Sequence, residues 1–174
     1  MGVEQDFYSP GSTAEYDYII GSVHYLYKDG FYLPVDASRQ RQEQAVRDFY
    51  GGDWYAFIED YYRTAAQVVR RTGCQVVGHF DLVTKFNEGD ALFSVRHPRY
   101  IRAVEAAIEA LAQTDAVFEI NTGAVARGYR TEPYPSRRIV EELRGRGIKR
   151  ILSSDCHDRK NLLFGFEQFR AWIE

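Results

Sequence analysis

His24, His79, Asp155 and His157 are the residues with most to say about chemistry. Imidazole and carboxylate donors suit zinc, manganese and iron. Each stands where a short apolar run stops: residues 18–23 lead into His24, residues 75–78 into His79, and residues 150–154 into Asp155-Cys156-His157. A lone histidine at a strand end is commonly a hydrogen-bonded structural residue. The metal reading rests on the set taken together. Lys85, Arg127 and Arg130 are candidate phosphate binders, because a cation in a strand-end loop can neutralise a phosphoryl group, although most arginines are simply solvated. Asp81, two residues after His79, could orient that histidine from behind. Glu4 reads on composition alone as an ordinary solvated acid. His97, before Pro98, reads as a surface or helix-capping residue, and Cys156 as a small buried filler. No Gly-x-Ser-x-Gly elbow points to serine catalysis.

The elements that must position these residues follow from hydrophobic period. Short apolar runs at 18–23, 75–78, 117–120 and 150–154 predict buried strands, and stretches at 39–49, 54–71, 98–113, 136–143 and 165–173 predict helices. Gly73 is a stop signal, Pro98 a helix start and Ser136 a candidate cap. Residues 25–34 read as a loop. Strands alternating with helices argue an α/β chain with a parallel sheet or barrel, and in such folds chemistry gathers at the carboxyl ends of the strands. The 174 residues, 45% of them hydrophobic, predict a single domain over 1–174. A net charge of -3 without a basic block argues against nucleic acid as a partner and favours a small molecule. Cys74 and Cys156 lack Cys-x-x-Cys spacing, which predicts a reduced, cytoplasmic setting. No apolar run approaches the roughly 18 residues of a membrane span, and residues 1–20 lack the pattern of an export signal, so no membrane partner is expected.

A series of short motifs adds a family resemblance. Gly2-Val3-Glu4-Gln5-Asp6, Ile20-Gly21-Ser22-Val23-His24-Tyr25, Val77-Gly78-His79-Phe80-Asp81-Leu82, Glu119-Ile120-Asn121-Thr122-Gly123 with Arg127-Gly128, Pro133-Tyr134-Pro135, and Ser154-Asp155-Cys156-His157 occur in this order. Together they resemble the histidinol-phosphate phosphatases of the PHP superfamily. The resemblance implies a distorted (β/α)7 TIM-like barrel, incomplete here at the amino terminus, with up to three divalent ions (Zn, Mn or Fe) at the strand ends. It implies metal ligation by Glu4, His24, His79, Asp155 and His157, with Glu4 as the bridging carboxylate and His24 and His79 on one ion. Lys85 and Arg127 would contact phosphate, and Asp155 would double as the catalytic proton acceptor. The implied reaction is hydrolysis of L-histidinol phosphate, a small-molecule phosphate ester, to L-histidinol and phosphate in histidine biosynthesis.

The resemblance also departs from the family pattern. Members begin with a His-x-His strand, and nothing before Glu4 supplies one, so poor turnover or none by this chain alone is expected. Two other readings stay open: a PHP phosphoesterase with a different leaving-group pocket, and a non-catalytic metal-binding remnant. An open sheet edge is expected to favour a homo-oligomer.

Overall fold

A computed structural model describes the backbone of Gly2–Glu4 and residues 15–174. Its sheet contains β1 (Gly2–Glu4), β2 (Ile20–Ser22), β5 (Val76–Val77), β6 (Val117–Asn121) and β7 (Arg150–Ser153), all parallel and each beside its predecessor. The register sets Glu4 beside Ser22, Gly21 beside Val77, and Asn121 beside Ser153. Parallel strands in sequence order need a crossover between each pair, and helices supply it between β2 and β5, between β5 and β6 and between β6 and β7. This is the expected α/β architecture. Among the described residues β1 and β7 are the sheet's edges.

Two glycines let the strands lie close to what covers them. A Cβ on Gly21 would fall 2.5 Å from Cys74 Sγ, and one on Gly78 would fall 2.6 Å from Ser22 Oγ. Any larger residue would push β2 and β5 away from their neighbours.

Residues 25–34, expected to be a loop, form an antiparallel hairpin of β3 (Tyr25–Lys28) and β4 (Phe31–Pro34). The cause is local. Asp29 and Gly30 both take positive φ, 51° and 88°, which is the two-residue turn whose twist matches paired strands. Leu26 and Leu33 face each other and are buried, while Tyr27 and Tyr32 pair on the exposed side.

Ser38 caps α1 (Arg39–Tyr50) by accepting the Arg41 N–H, and Asp53 caps α2 (Trp54–Ala65) by accepting from Tyr55 and Ala56. The helix expected over 54–71 is divided, with α3 (Val68–Thr72) following a break at Gln67 and ending at left-handed Gly73. His97 caps α4 (Pro98–Leu111) through Nδ1, as its position before proline suggested, and stacks on Tyr55. A short α5 (Gly123–Ala126) follows β6. Ser136 precedes α6 (Arg137–Gly145) but makes no side-chain cap; its backbone N–H donates to the Asp81 carboxylate instead. The expected last helix is shorter than its pattern, α7 (Phe166–Phe169) passing into a 3-10 turn over Arg170–Trp172.

The main core lies between the sheet and the α1, α2 and α4 layer, where Phe57, Ile58, Tyr61, Tyr62, Ile108 and Phe118 are fully buried. Ile120, Val140, Phe169 and Trp172 form a smaller cluster behind β6. No helix among the described residues is long and apolar enough to cross a membrane.

Candidate functional site

The carboxyl ends of the strands surround a cavity of about 610 Å³. β2 delivers Ser22 and then His24, and β5 delivers His79. β6 contributes Glu119 and Asn121, and β7 leads to Ser153, Asp155 and His157. Lys85 reaches the cavity from the turn after Leu82–Thr84, Arg127 from the end of α5, and Asp36 from the loop between β4 and α1. His24, His79, Lys85, Arg127, Asp155 and His157, singled out from sequence, therefore line one cavity. The backbone of Glu4 pairs with Ser22, which also lines it; the Glu4 side chain lies outside the described residues.

His24 and His79 meet edge to face, their ring centroids 4.7 Å apart. His79 is almost fully buried and takes a φ of 20°, a conformation a side chain rarely adopts. Glu119 holds it there, for one carboxylate oxygen accepts the His79 backbone N–H at 2.8 Å and the Asn121 amide at 2.9 Å. Asn121 in turn accepts the N–H of Gly123, which fixes the start of α5. Burial, reinforced by neighbouring His24, pushes the His79 imidazole below its usual 6.5, so it is neutral at pH 7 and keeps a lone pair. Its Nδ1 is buried without a hydrogen-bond partner among the described residues.

Elsewhere on the cavity wall, Arg127 donates through Nη1 to the Asp155 carbonyl at 2.9 Å and through Nη2 to its carboxylate at 3.1 Å. His157 Nε2 lies 3.4 Å from the other Asp155 oxygen. Asp155 carries a φ of 41°. The guanidinium lies against Gly123, where an added Cβ would come within 3.0 Å of it and 2.8 Å of the Ser154 carbonyl oxygen.

The ligand candidates thus arrive as two pairs, His24 with His79 and Asp155 with His157. Among the described residues no group of three or more histidine, cysteine or acidic side chains is gathered tightly enough to hold an ion. The neutral His79 imidazole, its Nδ1 unpartnered among the described residues and His24 beside it, nevertheless has the donor chemistry a divalent transition metal requires.

Three expectations from sequence are corrected. Arg130 does not line the main cavity. It is buried against the Tyr134 ring, its carbon centre 4.4 Å from the ring centroid, donates to Thr84 Oγ1 at 2.6 Å, and faces a smaller pocket with Asp81 and Glu132. Asp81 makes no hydrogen bond to His79. Its Oδ2 accepts from Ser136, and burial drives its carboxyl above the ordinary range against the opposing pull of Arg130. Cys156 is half-buried, more open than a filler would be.

Sequence reading gave no role to Asp36, Glu119, Tyr129 or Tyr134, although Glu119 and Tyr134 fall within the quoted motifs. Glu119 left a signal, an acid in the middle of the apolar strand Val117-Phe118-Glu119-Ile120, because an acid is rarely fully buried without partners. Asp36 left none, since an aspartate shortly before a helix is unremarkable.

The family model for the PHP domain matches residues 11–123, more than half of the chain. The chain belongs to the PHP family. The PHP chain is 25% identical, over 100% of its own length and 58% of the relative's, to the protein called probable histidinol-phosphatase in Schizosaccharomyces pombe. It is 29% identical to a Deinococcus radiodurans protein of the same name, over 95% of its own length and 60% of the relative's. A 27% match to the histidinol-phosphatase of Bacillus subtilis covers 85% of the chain and 55% of that protein. The PHP chain therefore spans well under two thirds of these relatives. A crystal structure from Listeria monocytogenes, assigned to a histidinol phosphatase, superposes with a TM-score of 0.75 over 88% of this chain and 58% of that one, at 19% identity. That likeness establishes the PHP fold.

Proposed function

We propose that this PHP chain carries the strand-end site of a metal-assisted phosphomonoesterase acting on L-histidinol phosphate, with L-histidinol and inorganic phosphate as products. The observation that carries the reading is the convergence, in one cavity, of two histidines, an Asp-x-His and two cations from five separate stretches of chain. Relatives named histidinol-phosphatase support the choice of ester.

His24 and His79, with Glu4 on the neighbouring strand, would hold one divalent ion, and Asp155 and His157 would serve others, with zinc, manganese and iron all compatible with such donors. Bound ions there would supply Lewis acidity toward a phosphoryl oxygen. Arg127 and Lys85 would bind the phosphate and offset charge as the ester bond breaks. Asp155, oriented by Arg127, would accept a proton. A small phosphate ester in a reduced cytoplasm completes the reading.

The test is phosphate release from L-histidinol phosphate and from a panel of other monoesters, with manganese, zinc or iron(II) added. Preference for L-histidinol phosphate, lost in His24→Ala, is the expected result. Equal turnover of the panel would favour a PHP phosphoesterase of other specificity. Metal binding by calorimetry without turnover of any ester would favour a non-catalytic metal-binding module.

A further inference from the structure

Lys85 and Asp36 are 49 residues apart in sequence yet bonded at the cavity wall. The Lys85 ammonium donates to the Asp36 carbonyl oxygen at 2.8 Å and to its carboxylate at 3.3 Å. The rings of Phe86 and Tyr129 flank it, their centroids 5.5 and 5.0 Å from Nζ. A lysine ammonium has three N–H donors in tetrahedral arrangement. With two engaged on Asp36 and aromatic faces alongside, one donor remains for a ligand in the cavity that both residues line.

The frame around this pair is built to hold it. Gln42, fully buried, donates from Nε2 both to the Val35 carbonyl and to the Val83 carbonyl, each at 2.9 Å. One amide therefore ties the loop carrying Asp36 to the turn carrying Lys85. The Val35 N–H donates to the His24 carbonyl at 2.8 Å, so the same loop is fastened to the strand end that bears His24. A free lysine must order a long flexible stem when it binds an anion, and here that ordering is complete beforehand.

We propose that Asp36 is a positioning residue: it aims Lys85 so that a single ammonium donor meets one phosphoryl oxygen of a bound phosphate ester. The inference rests on the phosphatase reading above. Asp36 itself touches Lys85 and not the reacting atoms. Its negative charge would by itself repel phosphate, so the net effect of removing it has a definite sign to be measured.

The test is calorimetric titration of inorganic phosphate, with manganese present, into the wild-type chain and the variants Lys85→Ala, Asp36→Ala, Asp36→Asn and the Lys85/Asp36 double alanine. L-histidinol serves as a phosphate-free control ligand. Lys85→Ala should weaken phosphate roughly tenfold, as loss of one hydrogen bond to a charged group does. Asp36→Ala should weaken it as well but by less, since the backbone carbonyl of residue 36 still accepts from Lys85 and only the carboxylate contact is lost. Asp36→Asn, which keeps an accepting oxygen in place, should fall between Asp36→Ala and wild type, and the double variant should bind no worse than Lys85→Ala, the signature of coupled residues. Affinity for L-histidinol should not change. Phosphate bound as tightly or more tightly by Asp36→Ala, additive losses in the double variant, or L-histidinol affinity falling in step with phosphate would each overturn the proposal. Should Asp36→Ala fail to fold, the shape-preserving Asp36→Asn carries the comparison. Wild-type protein that binds no phosphate would remove the phosphatase reading itself, and this inference with it, an outcome distinct from normal wild-type binding left untouched by the Asp36 variants.

Discussion

Arg127 grips Asp155 twice, through the backbone carbonyl and through the carboxylate, and so closes the cavity between α5 and the turn after β7. The planar guanidinium makes this possible, because its donors diverge in a fixed fork. Arg127→Ala should therefore lower kcat/KM for L-histidinol phosphate on the order of 100-fold, the usual scale for losing a preorganised electrostatic contact. Arg127→Lys should restore little of it, since an ammonium keeps the charge but not the fork. Both groups are about a third exposed, so the melting temperature should move little, a stability change within about 1 kcal/mol. Steady-state kinetics beside a thermal melt decides it: equal activity of Arg127→Lys and wild type would remove the fork from the account.

Gly123 makes room for that grip. Its Cβ, if present, would overlap the Ser154 carbonyl oxygen at 2.8 Å and crowd both terminal nitrogens of Arg127. The arginine can move but the carbonyl cannot do so without shifting the β7 turn. Gly123→Ala should cost about 1 to 3 kcal/mol by overpacking and should weaken phosphate binding as Arg127→Ala does. Urea denaturation and phosphate titration of the same variant are the measurements. Unchanged stability would mean that the turn yields freely.

The hairpin offers a purely conformational test. Gly30 has a φ of 88° and nothing within 4 Å of where a Cβ would stand. Gly30→Ala should thus destabilise the fold by about 1 to 2 kcal/mol through left-handed strain alone, with cavity chemistry preserved. An equilibrium denaturation curve that overlays the wild type would contradict the turn geometry.

His79 should make the metal-free chain sensitive to acid. Its folded pKa is depressed below 6.5, chiefly by burial, so between those two values the unfolded chain binds more protons than the folded one. Stability from this group is complete above about pH 6.5 and is lost as pH falls from there toward the depressed value. Asp81 acts with the opposite sign, because its raised pKa favours the folded state as pH falls through it. The clean measurement is the difference in unfolding free energy between wild type and His79→Gln across pH 5 to 8. That difference should shift in favour of the variant as pH drops below about 6.5; a constant difference would mean that His79 titrates normally.

Much of this site could be read along the chain. A short apolar strand delivers the residue after it to its own carboxyl end, so His24, His79, Asp155 and His157 could be assigned to one mouth from local pattern alone, although β7, expected to be buried, is half-exposed. The hairpin was equally local, written in Asp29-Gly30 and the alternation around it, and the loop reading overlooked it. The separation of Arg127 from Arg130 was not legible, because Gly128, with a φ of 70°, turns the backbone between them and sends one guanidinium to the cavity and the other into a buried pocket. Asp36 was silent, and the partner of Glu119 hidden, for a different reason. Their meaning lies in bonds to Lys85 and to the His79 backbone across 49 and 40 residues, and such partners are chosen by how the sheet and its loops pack. Sequence determines which side chains reach the strand ends, since strand direction is a local property. Tertiary packing alone decides which carboxylate holds which cation, since the bonding distance between groups far apart in the chain exists only once the chain has folded.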